Sequence, residues 1–568
     1  MSYLFKIKDI IGKNNYVKFL FYIFVIFITM SLEMIGIAMI YPIISFFIDS
    51  NYFENENFFN KVIVNLNFLG KDKIHIFVIL IFGLTFVIKN IILYFCNKWR
   101  YKFIYDLDYF YSSKLLNTYL TQSYSYINSK SSSELIRNVQ IVSILVQCLN
   151  QIALFLNEAL IFIAVSVVLI FFQSKATLFI AVILILIALI FNFLTSPKLK
   201  KWGLERLEYD KKKLESLQSS FFGFKEIHVY DKKDTILEKY KNSAKGWSYL
   251  SYKLDFFVSL PKLFLEVIAI FFFIFFLVIY DSIGNFNSII PGLALFAVAG
   301  YKIIPSITRI LNSYQFLDYH LPYIDKLHSE FKSTRTNKNL YVNKIKYKQS
   351  LELKNVFFKY PNQSNHIFKN LNLRIDKGQF VGIYGRSGSG KSTLINILLG
   401  LQKPESGSIL LNNEEINYNN DYFIEKLGYV PQDIFLFNDT LSNNISLFDD
   451  KINDKIFKDL IEKSQLENNL KFMDKSFLIG ERGKDLSGGQ IQRIAIARSL
   501  YNNSNLLILD EATNALDEKT EKQFINTLHK LKNEKSMLII SHDKEVLSIC
   551  DIIYELCDYK LIKKNIPN

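Results

Sequence analysis

Cysteine is scarce in this chain of 568 residues, and the four that occur are scattered at Cys96, Cys148, Cys550 and Cys557. None of them forms a C-x-x-C pair, so the sequence indicates neither a zinc site nor a disulfide framework. We expect no cleavable signal peptide at the first apolar run, because it continues too far and lacks a small-residue cleavage pattern.

Acidic residues are the minority charge, since 53 Asp and Glu stand against 67 Lys and Arg and leave a formal net charge of +14. Such a balance can indicate nucleic-acid binding. Here, however, the cations concentrate beside hydrophobic runs, as at 98–102 and 198–201. Flanking lysines of this kind are typical of the cytoplasmic side of membrane helices. We therefore expect a membrane protein that binds no nucleic acid.

Hydrophobic residues make up half of the chain and are distributed unevenly. Up to about residue 315 they form long runs, and after about residue 350 they alternate with charges. A membrane-spanning helix needs about 20 mostly apolar residues. The alternative of buried helices in a large soluble domain fails on the length and number of the runs. The sequence predicts six spans, at about 19–47, 74–95, 139–172, 176–195, 256–280 and 288–311.

This pattern predicts a transmembrane domain over 1–330, a linker over 331–350 and a second domain over 351–568. Lysines precede the first span, and the long connections 96–138 and 196–255 are rich in lysine. The positive-inside rule therefore places both termini in the cytoplasm. The expected location of the protein is the plasma membrane of a bacterium. Short helices that contact the second domain are expected within these connections, at Ser123–Ser131 and Gln218–Glu226.

One external segment, Asn57–Leu69, has its apolar residues on one side of a helical wheel. It is either an amphipathic helix that lies on the outer leaflet or on the mouth of the membrane domain, or a helical loop packed on its own protein.

A glycine-rich segment, Gly385-Arg-Ser-Gly-Ser-Gly-Lys-Ser-Thr393, has the spacing of a phosphate-binding loop. Its glycines let successive backbone N–H groups point at phosphate oxygens. Lys391 would reach the outer phosphates, and the Ser392 hydroxyl would bind magnesium. The motif alone predicts a bound nucleotide.

Two apolar runs end in polar side chains, Leu506–Asp510 followed by Glu511, and Leu538–Ser541 followed by His542. Continuous apolar runs are typical of parallel strands, and ligands bind at the carboxyl ends of such strands. Asp510 would hold magnesium through water, and Glu511 is the candidate general base for an attacking water.

The segment Leu486-Ser-Gly-Gly-Gln490, together with the phosphate loop, resembles the signature of the ATP-binding cassette (ABC) family. The resemblance implies an all-α six-helix transmembrane domain of the exporter type followed by an α/β P-loop ATPase domain. Gly480–Gly483 resembles a loop peculiar to exporters. ATP and Mg²⁺ are the implied cofactors, and ATP hydrolysis coupled to transport is the implied activity.

Site residues follow from the same resemblance. Tyr360 would stack on adenine, Gln432 would contact magnesium and the attacking water, and His542 would contact the γ-phosphate. The implied catalytic residues are Glu511, His542 and Gln432, and the implied metal-binding residues are Ser392, Gln432 and Asp510. The implied ATP-binding residues are Tyr360, Gly385, Arg386, Ser387, Gly388, Ser389, Gly390, Lys391, Ser392, Thr393, Gln432, Ser487, Gly488, Gly489 and Gln490.

In this family ATP lies between the phosphate loop of one cassette and the signature of another. One cassette per chain therefore implies a homodimer. Asn514–Asp517 resembles the D-loop, and Asp543 stands where the family usually has Arg, which alters local salt bridges and leaves His542 in place.

Ionisable residues inside the predicted spans are costly and usually serve transport or pair with one another. They are Glu33, Lys89, Lys262, Glu266, Lys302 and Arg309. Lys262 can pair with Glu266, and Glu33 with Lys89. Lys302 and Arg309 share a helical face and have no obvious partner in the sequence. A substrate cavity lined by Lys89, Lys262, Lys302 and Arg309 would suit an anionic cargo, because arginine binds phosphate well.

A closer resemblance is to bacterial flippases of lipid-linked oligosaccharides for protein N-glycosylation. It rests on Ser31–Pro42, the external helix, Leu260–Lys262 with Glu266, and Tyr301-Lys302 with Pro305 and Arg309. The resemblance implies a polyprenyl-diphosphate glycolipid as substrate and membrane lipid as partner. The alternative is an exporter of peptides, drugs or another lipid. An ATP-gated regulator or channel is disfavoured by the intact Glu511 and signature.

Overall fold

The computed structural model describes residues 17–18, 21–32, 71–172, 174–281, 290–335, 343–360, 363–416, 422–425, 427–449, 452–467, 470–501, 503–513, 518–532 and 534–564. Glu33, the segment 57–69 and Asn514–Asp517 lie outside these residues, and so does the side chain of Lys302. The chain forms two compact units. One comprises Met1–Gln122 with Ile127–Asn337, and the other Ser123–Tyr126 with Lys338–Asn568.

The part of the first unit that the structure describes is helical. Four of its helices have 46 to 50 residues, more than twice the length a bilayer requires. From residue 21 to residue 335 the helices are α1 (Phe21–Leu32), α2 (Lys71–Leu120), α3 (Tyr124–Asn128), α4 (Ser132–Gln140), α5 (Val142–Phe172), α6 (Ser174–Phe222), α7 (Phe224–Val229), α8 (Lys233–Asp281) and α9 (Ile290–Arg335). The residues of α3 are divided between the two units.

Two of the predicted helices are each interrupted at one residue. The predicted span 139–172 falls in two helices, since α4 ends at Gln140 and α5 begins at Val142, although the Ile141 N–H still makes the helical bond to the Arg137 carbonyl. The short helix predicted over Gln218–Glu226 is interrupted at Gly223, between α6 and α7. By length and composition, the helical stretch Ser132–Val167 is the one within the described residues that could cross a membrane, and α1 is a shorter apolar helix. The six spans stay a prediction.

The long helices pack around α9. A buried apolar cluster joins α5, α8 and α9 through Ile161, Val165, Leu265, Ile303, Ile307 and Leu311. Further along, α6 approaches α9 closely, since a Cβ placed on Gly203 would lie 1.9 Å from the Tyr319 carbonyl oxygen. Only glycine permits this helix contact.

A buried carboxylate near the end of α9 joins three parts of the first unit. Glu330 accepts hydrogen bonds from Lys130 at 2.7 and 2.8 Å and from the Tyr119 hydroxyl at 3.1 Å. Lys326, one turn earlier, bonds to Glu134 of α4 at 2.6 Å and lies 3.4 Å from Glu330. These contacts tie the connection between α2 and α4 to α9.

The second unit is an α/β domain. A mainly parallel six-stranded sheet has the order β12-β11-β4-β10-β9-β8, a four-stranded antiparallel sheet has the order β3-β2-β5-β6, and β1 pairs with β7. The strands are β1 (Asn343–Lys346), β2 (Ser350–Phe358), β3 (Phe368–Asp376), β4 (Phe380–Tyr384), β5 (Ser406–Leu411), β6 (Glu414–Glu415), β7 (Tyr422–Glu425), β8 (Leu427–Val430), β9 (Leu506–Asp510), β10 (Ser536–Ile540), β11 (Ile552–Cys557) and β12 (Lys560–Lys564). The helices are α10 (Lys391–Leu398), α11 (Leu441–Ser446), α12 (Asp454–Lys463), α13 (Gly488–Tyr501), α14 (Glu518–Leu531) and α15 (Lys544–Leu547).

The two apolar runs of the sequence are strands β9 and β10. Both are buried along their whole length and pair in parallel, as predicted from their continuous apolar character. Their carboxyl ends therefore meet at one edge of the sheet, beside the end of β4. The predicted linker 331–350 is shorter than expected, because α9 continues to Arg335 and β1 begins at Asn343.

Candidate functional site: a phosphate loop beside two strand ends

The glycine-rich loop follows β4 and leads directly into α10. Gly390 has φ +105°, a left-handed conformation that side chains rarely adopt, and a Cβ there would lie 2.8 Å from Ile367. A Cβ on Gly385 would lie 2.7 Å from the Leu556 carbonyl oxygen. The glycines are therefore required by the backbone path as well as by any ligand.

The loop has a polar atom that fits a phosphate ligand. Ser389 Oγ is buried and has no hydrogen-bond partner within the described residues. An unpaired buried hydroxyl is costly, and a phosphate oxygen would satisfy it. The nearby Arg386, Ser387 and Ser392 side chains are exposed, so the loop surface is open to a ligand.

Lys391 is the first residue of α10 and bonds within the site. Its Nζ donates to the Gly385 carbonyl at 2.7 Å and lies 3.0 Å from His542 Nε2. A lysine ammonium only donates, so His542 Nε2 accepts this bond. The structure thus brings together Lys391, which is predicted to reach the outer phosphates, and His542, which is predicted to contact the γ-phosphate.

Two carboxylates, Asp510 at the end of β9 and Glu511 directly after it, lie in different environments. Asp510 is 6% exposed, and burial, followed by the neighbouring Glu511 charge, raises its pKa to about 6. Glu511 has φ 52°, and its N–H bonds to the Ile540 carbonyl at 2.9 Å. A residue other than glycine held in this region stores strain, which is common at functional sites.

Gln432 and His542 converge on Glu511 from neighbouring strands. Gln432, two residues after β8, donates from Nε2 to Glu511 Oε2 at 2.9 Å. His542, two residues after β10, lies 3.7 Å from Glu511 Oε1. All three predicted catalytic residues therefore meet at one edge of the sheet.

Tyr360 lies against the phosphate-loop helix. Its hydroxyl is 3.2 Å from Thr393 Oγ1, and its ring meets Phe358 edge-on with centroids 5.1 Å apart. The ring is half-buried beside the apolar core of the domain. Tyr360 thus lies next to the last residue of the glycine-rich segment, and its stacking on adenine stays a prediction.

The signature segment begins α13 with reciprocal hydrogen bonds. Ser487 N–H donates to Gln490 Oε1 at 2.9 Å, and Gln490 N–H donates to Ser487 Oγ at 3.3 Å. This capping box leaves Ser487 and Gly488 exposed at the helix start. No hydrogen bond within the described residues joins Ser487 to Lys391. Their helices also enter separate apolar clusters, α10 through Leu394 and α13 through Ile494.

Sequence reasoning missed one residue of this site. Gln492 on α13 is 4% exposed, and its Nε2 lies 3.4 Å from the Glu511 carbonyl oxygen. A buried glutamine on an otherwise apolar helix face, two residues after the signature, was the available signal.

Asp543 has a defined structural role. Its carboxylate accepts the Glu545 N–H at 2.6 Å and caps α15. A short acceptor side chain is favoured at an N-cap, where the family's arginine could not accept this bond. His542 keeps its place beside Lys391, as expected.

The predicted cavity cations are paired more fully than the sequence indicated. Arg309 has no obvious partner in the sequence, but in the structure its Nη1 lies 2.8 Å from Oε1 of Glu158 on α5. Glu158 was overlooked because its partner is 151 positions away. Lys262 and Glu266 form the expected i,i+4 pair at 3.8 Å, and Lys89 is buried, 4.5 Å from the Phe86 ring centroid.

The chain is similar in sequence to export ATP-binding/permease proteins over about three quarters of its length. A family model described as ABC transporter matches residues 368–514. An export ATP-binding/permease protein of Rickettsia bellii (strain RML369-C) is 31% identical over 456 residues, which cover 76% of this chain and 75% of that protein. A second one, from Rickettsia prowazekii (strain Madrid E), is 40% identical over 208 residues, or 36% of either protein.

The fold has a counterpart among solved structures. A bacterial Atm1-family ABC exporter with ATP bound has a TM-score of 0.76, covering 96% of this chain and 94% of that chain at 17% identity. The predicted fold class, a helical membrane domain followed by an α/β P-loop ATPase domain, is therefore confirmed.

Proposed function

The chain belongs to the ABC transporter family of export ATP-binding/permease proteins, and from this premise we propose that it is a flippase for an anionic, diphosphate-linked glycolipid. It binds ATP and couples ATP hydrolysis to transport. The observation that carries the cargo proposal is the exposure of two cations on helices of the first unit, which we call the membrane unit. The side chains of Arg309 and Lys262 are 60% and 66% exposed, on helices that contain predicted spans where charge is costly.

Hydrolysis is assigned to the cluster at the sheet edge. Glu511 would take the proton of the attacking water, Gln432 would orient that water, and His542 would contact the γ-phosphate. Mg²⁺ fits the oxygen donors of Ser392, Gln432 and Asp510. When bound, the cation neutralises charge on the phosphate oxygens. Gln432 Nε2 is directed to Glu511, so its amide oxygen is the atom available for the cation.

A homodimer would complete the nucleotide site. Ser487 and Lys391 stand on helices with separate apolar clusters, so a second copy is the natural source of a signature for each phosphate loop. Both sites of such a dimer would contain Glu511 and an intact signature. This equivalence favours hydrolysis at both sites over a degenerate regulatory role.

The cargo would be a polyprenyl-diphosphate-linked oligosaccharide, moved from the inner to the outer leaflet of a bacterial plasma membrane. Lys89, Lys262, Lys302 and Arg309 are the residues proposed to attract its diphosphate. Arginine suits this task because its planar fork matches two phosphate oxygens. We propose the six-span arrangement with cytoplasmic termini as the frame for this movement.

One observation favours a second candidate, an exporter of a peptide, drug or another lipid. Arg309 and Lys262 each lie beside a carboxylate, so the membrane unit is less cationic than four free cations would make it. A less charged cavity would accept neutral cargo.

The two candidates differ in what stimulates ATP turnover. In lipid nanodiscs, the flippase proposal expects a diphosphate-linked glycolipid to stimulate turnover and its uncharged polyprenol to have no effect. Neutralising Lys302 and Arg309 together should abolish that stimulation. Equal stimulation by the uncharged lipid, or normal stimulation of the double variant, would refute the diphosphate proposal in favour of the second candidate.

A further inference from the structure

Glu158 is a carboxylate buried within the membrane unit and bonded by two side chains of one neighbouring helix. It lies on α5 and is 3% exposed. Ser306 Oγ donates to its Oε2 at 2.8 Å, and Arg309 Nη1 donates to its Oε1 at 2.8 Å. Ser306 and Arg309 are three residues apart on α9, so one face of that helix supplies both bonds.

The two helices that hold Glu158 and its partners also pack through apolar side chains. Ile161 and Val165, three and seven residues further along α5, enter the buried cluster that also contains Ile303 and Ile307 of α9. A carboxylate in such a place is costly unless it is paired and hydrogen-bonded. Arg309 and Ser306 therefore hold Glu158 in one position, and Glu158 holds the Arg309 guanidinium in return.

The two members of the pair differ in exposure, which leaves part of the Arg309 side chain accessible to a ligand. The Arg309 side chain is 60% exposed although its partner is 3% exposed. In the Lys130–Glu330 pair of the same unit, both side chains are largely buried, at 18% and 4% exposure. A guanidinium has several N–H donors in a fixed fork, and a single hydrogen bond occupies one of them. The exposed part of Arg309 can thus meet an oxyanion while Nη1 remains on Glu158.

We propose that Glu158 is a resident counter-charge that positions the Arg309 fork and sets how strongly it binds the oxyanion headgroup of the cargo. This inference rests on the proposed anionic cargo. The carboxylate fixes the direction of the guanidinium, and its negative charge weakens the attraction of Arg309 for a phosphate group. Weaker binding favours release of the headgroup once it has been moved.

Glu158→Gln separates the two effects, because glutamine keeps an acceptor for Arg309 and removes the charge. The measurement is equilibrium binding of labelled farnesyl diphosphate to the full-length protein in nanodiscs, with ADP saturating the phosphate loops. We expect the variant to bind farnesyl diphosphate about tenfold more tightly than the parent protein. Unchanged or weaker binding by a folded variant overturns the counter-charge role. Glu215→Gln, which removes a carboxylate charge from the exposed Lys211–Glu215 pair outside the proposed cavity, is the matched control and should leave binding unchanged.

Arg309→Lys keeps the proposal testable if Glu158→Gln does not fold. Lysine preserves the ion pair with Glu158 but lacks the fork. We expect its affinity for farnesyl diphosphate to fall about tenfold, as for the loss of one hydrogen bond to a charged group. Parental affinity in this variant contradicts the role of the fork.

Two further ligands distinguish this inference from the function on which it rests. Farnesol tests whether the diphosphate is needed, and inorganic pyrophosphate tests whether the lipid is needed. A parent protein that binds farnesyl diphosphate no better than farnesol overturns both proposals. If pyrophosphate binds as tightly as farnesyl diphosphate, the claim that the bound anion belongs to a lipid is overturned. Tighter pyrophosphate binding by Glu158→Gln would then still support the counter-charge role of Glu158.

Discussion

Gln432 Nε2 donates a hydrogen bond to Glu511 Oε2 over 2.9 Å, so the residue that follows β8 is tied to the carboxylate that follows β9. The bond leaves the second carboxylate oxygen, Oε1, directed toward His542 at 3.7 Å. A carboxylate held between two neighbours in this way has the fixed geometry that a general base needs.

Removing the charge of Glu511 tests its role as the base. Glu511→Gln should lower ATP turnover by about a hundredfold or more, because general-base catalysis contributes about that much. ATP binding should persist, since the phosphate loop is untouched. Phosphate release and nucleotide binding measure the two effects. Turnover within a few-fold of the parent would show that another group acts as the base.

Gln492 is expected to position Glu511 through its backbone carbonyl. Gln492→Met should lower turnover about fivefold, corresponding to about 1 kcal/mol for one hydrogen bond. Thermal stability should not fall, because Gln492 Oε1 is buried without a partner within the described residues and methionine removes it. The exposed Gln523 on α14 provides the control Gln523→Met, which should change neither quantity. Equal turnover in both variants would contradict the positioning role.

The ring of Tyr360, rather than its hydroxyl, should bind the base of ATP. Tyr360→Ala should weaken ATP binding about tenfold, because stacking of a base on an aromatic ring contributes about 1–3 kcal/mol. Tyr360→Phe removes the bond to Thr393 and keeps the ring, so its affinity should match that of the parent. Binding of a fluorescent ATP analogue measures both. A comparable loss in Tyr360→Phe would shift the role to the hydroxyl.

Glu330 should stabilise the membrane unit. Glu330→Gln removes the charge that faces Lys130 and Lys326, and the loss of one member of a buried ion-pair network costs about 3 kcal/mol. The unfolding temperature of the purified protein should therefore fall by several degrees, as measured by differential scanning fluorimetry. Glu481→Gln is the control, because the Glu481–Lys484 pair is exposed at 64% and 71% and should contribute little.

The cassette could be predicted from sequence because its chemistry depends on local backbone geometry. The turn after β4 needs glycine, and a buried parallel strand such as β9 needs a continuous apolar run. Both requirements are visible in a few consecutive residues. The meeting of Gln432, Glu511 and His542 then follows from strand order.

Contacts between distant helices could not be predicted in the same way. Glu158 and Arg309 meet because α5 and α9 pack at a particular rotation, which helical periodicity alone does not determine. The breaks at Ile141 and Gly223 likewise depend on how each helix end is capped and packed. The role of Asp543 as an N-cap depends only on neighbouring residues. The comparison with the family's arginine pointed to altered salt bridges and did not indicate this role.

ATP-driven movement of a polyprenyl-diphosphate glycan in proteoliposomes tests the central claim most directly. The measurement is the fraction of labelled glycan that becomes accessible to a membrane-impermeant probe after ATP is added. The account predicts movement that requires ATP, is absent in Glu511→Gln and is not reproduced with the uncharged polyprenyl glycan. Equal movement of the charged and uncharged lipids, or no ATP-dependent movement of the diphosphate by an active ATPase, would contradict it.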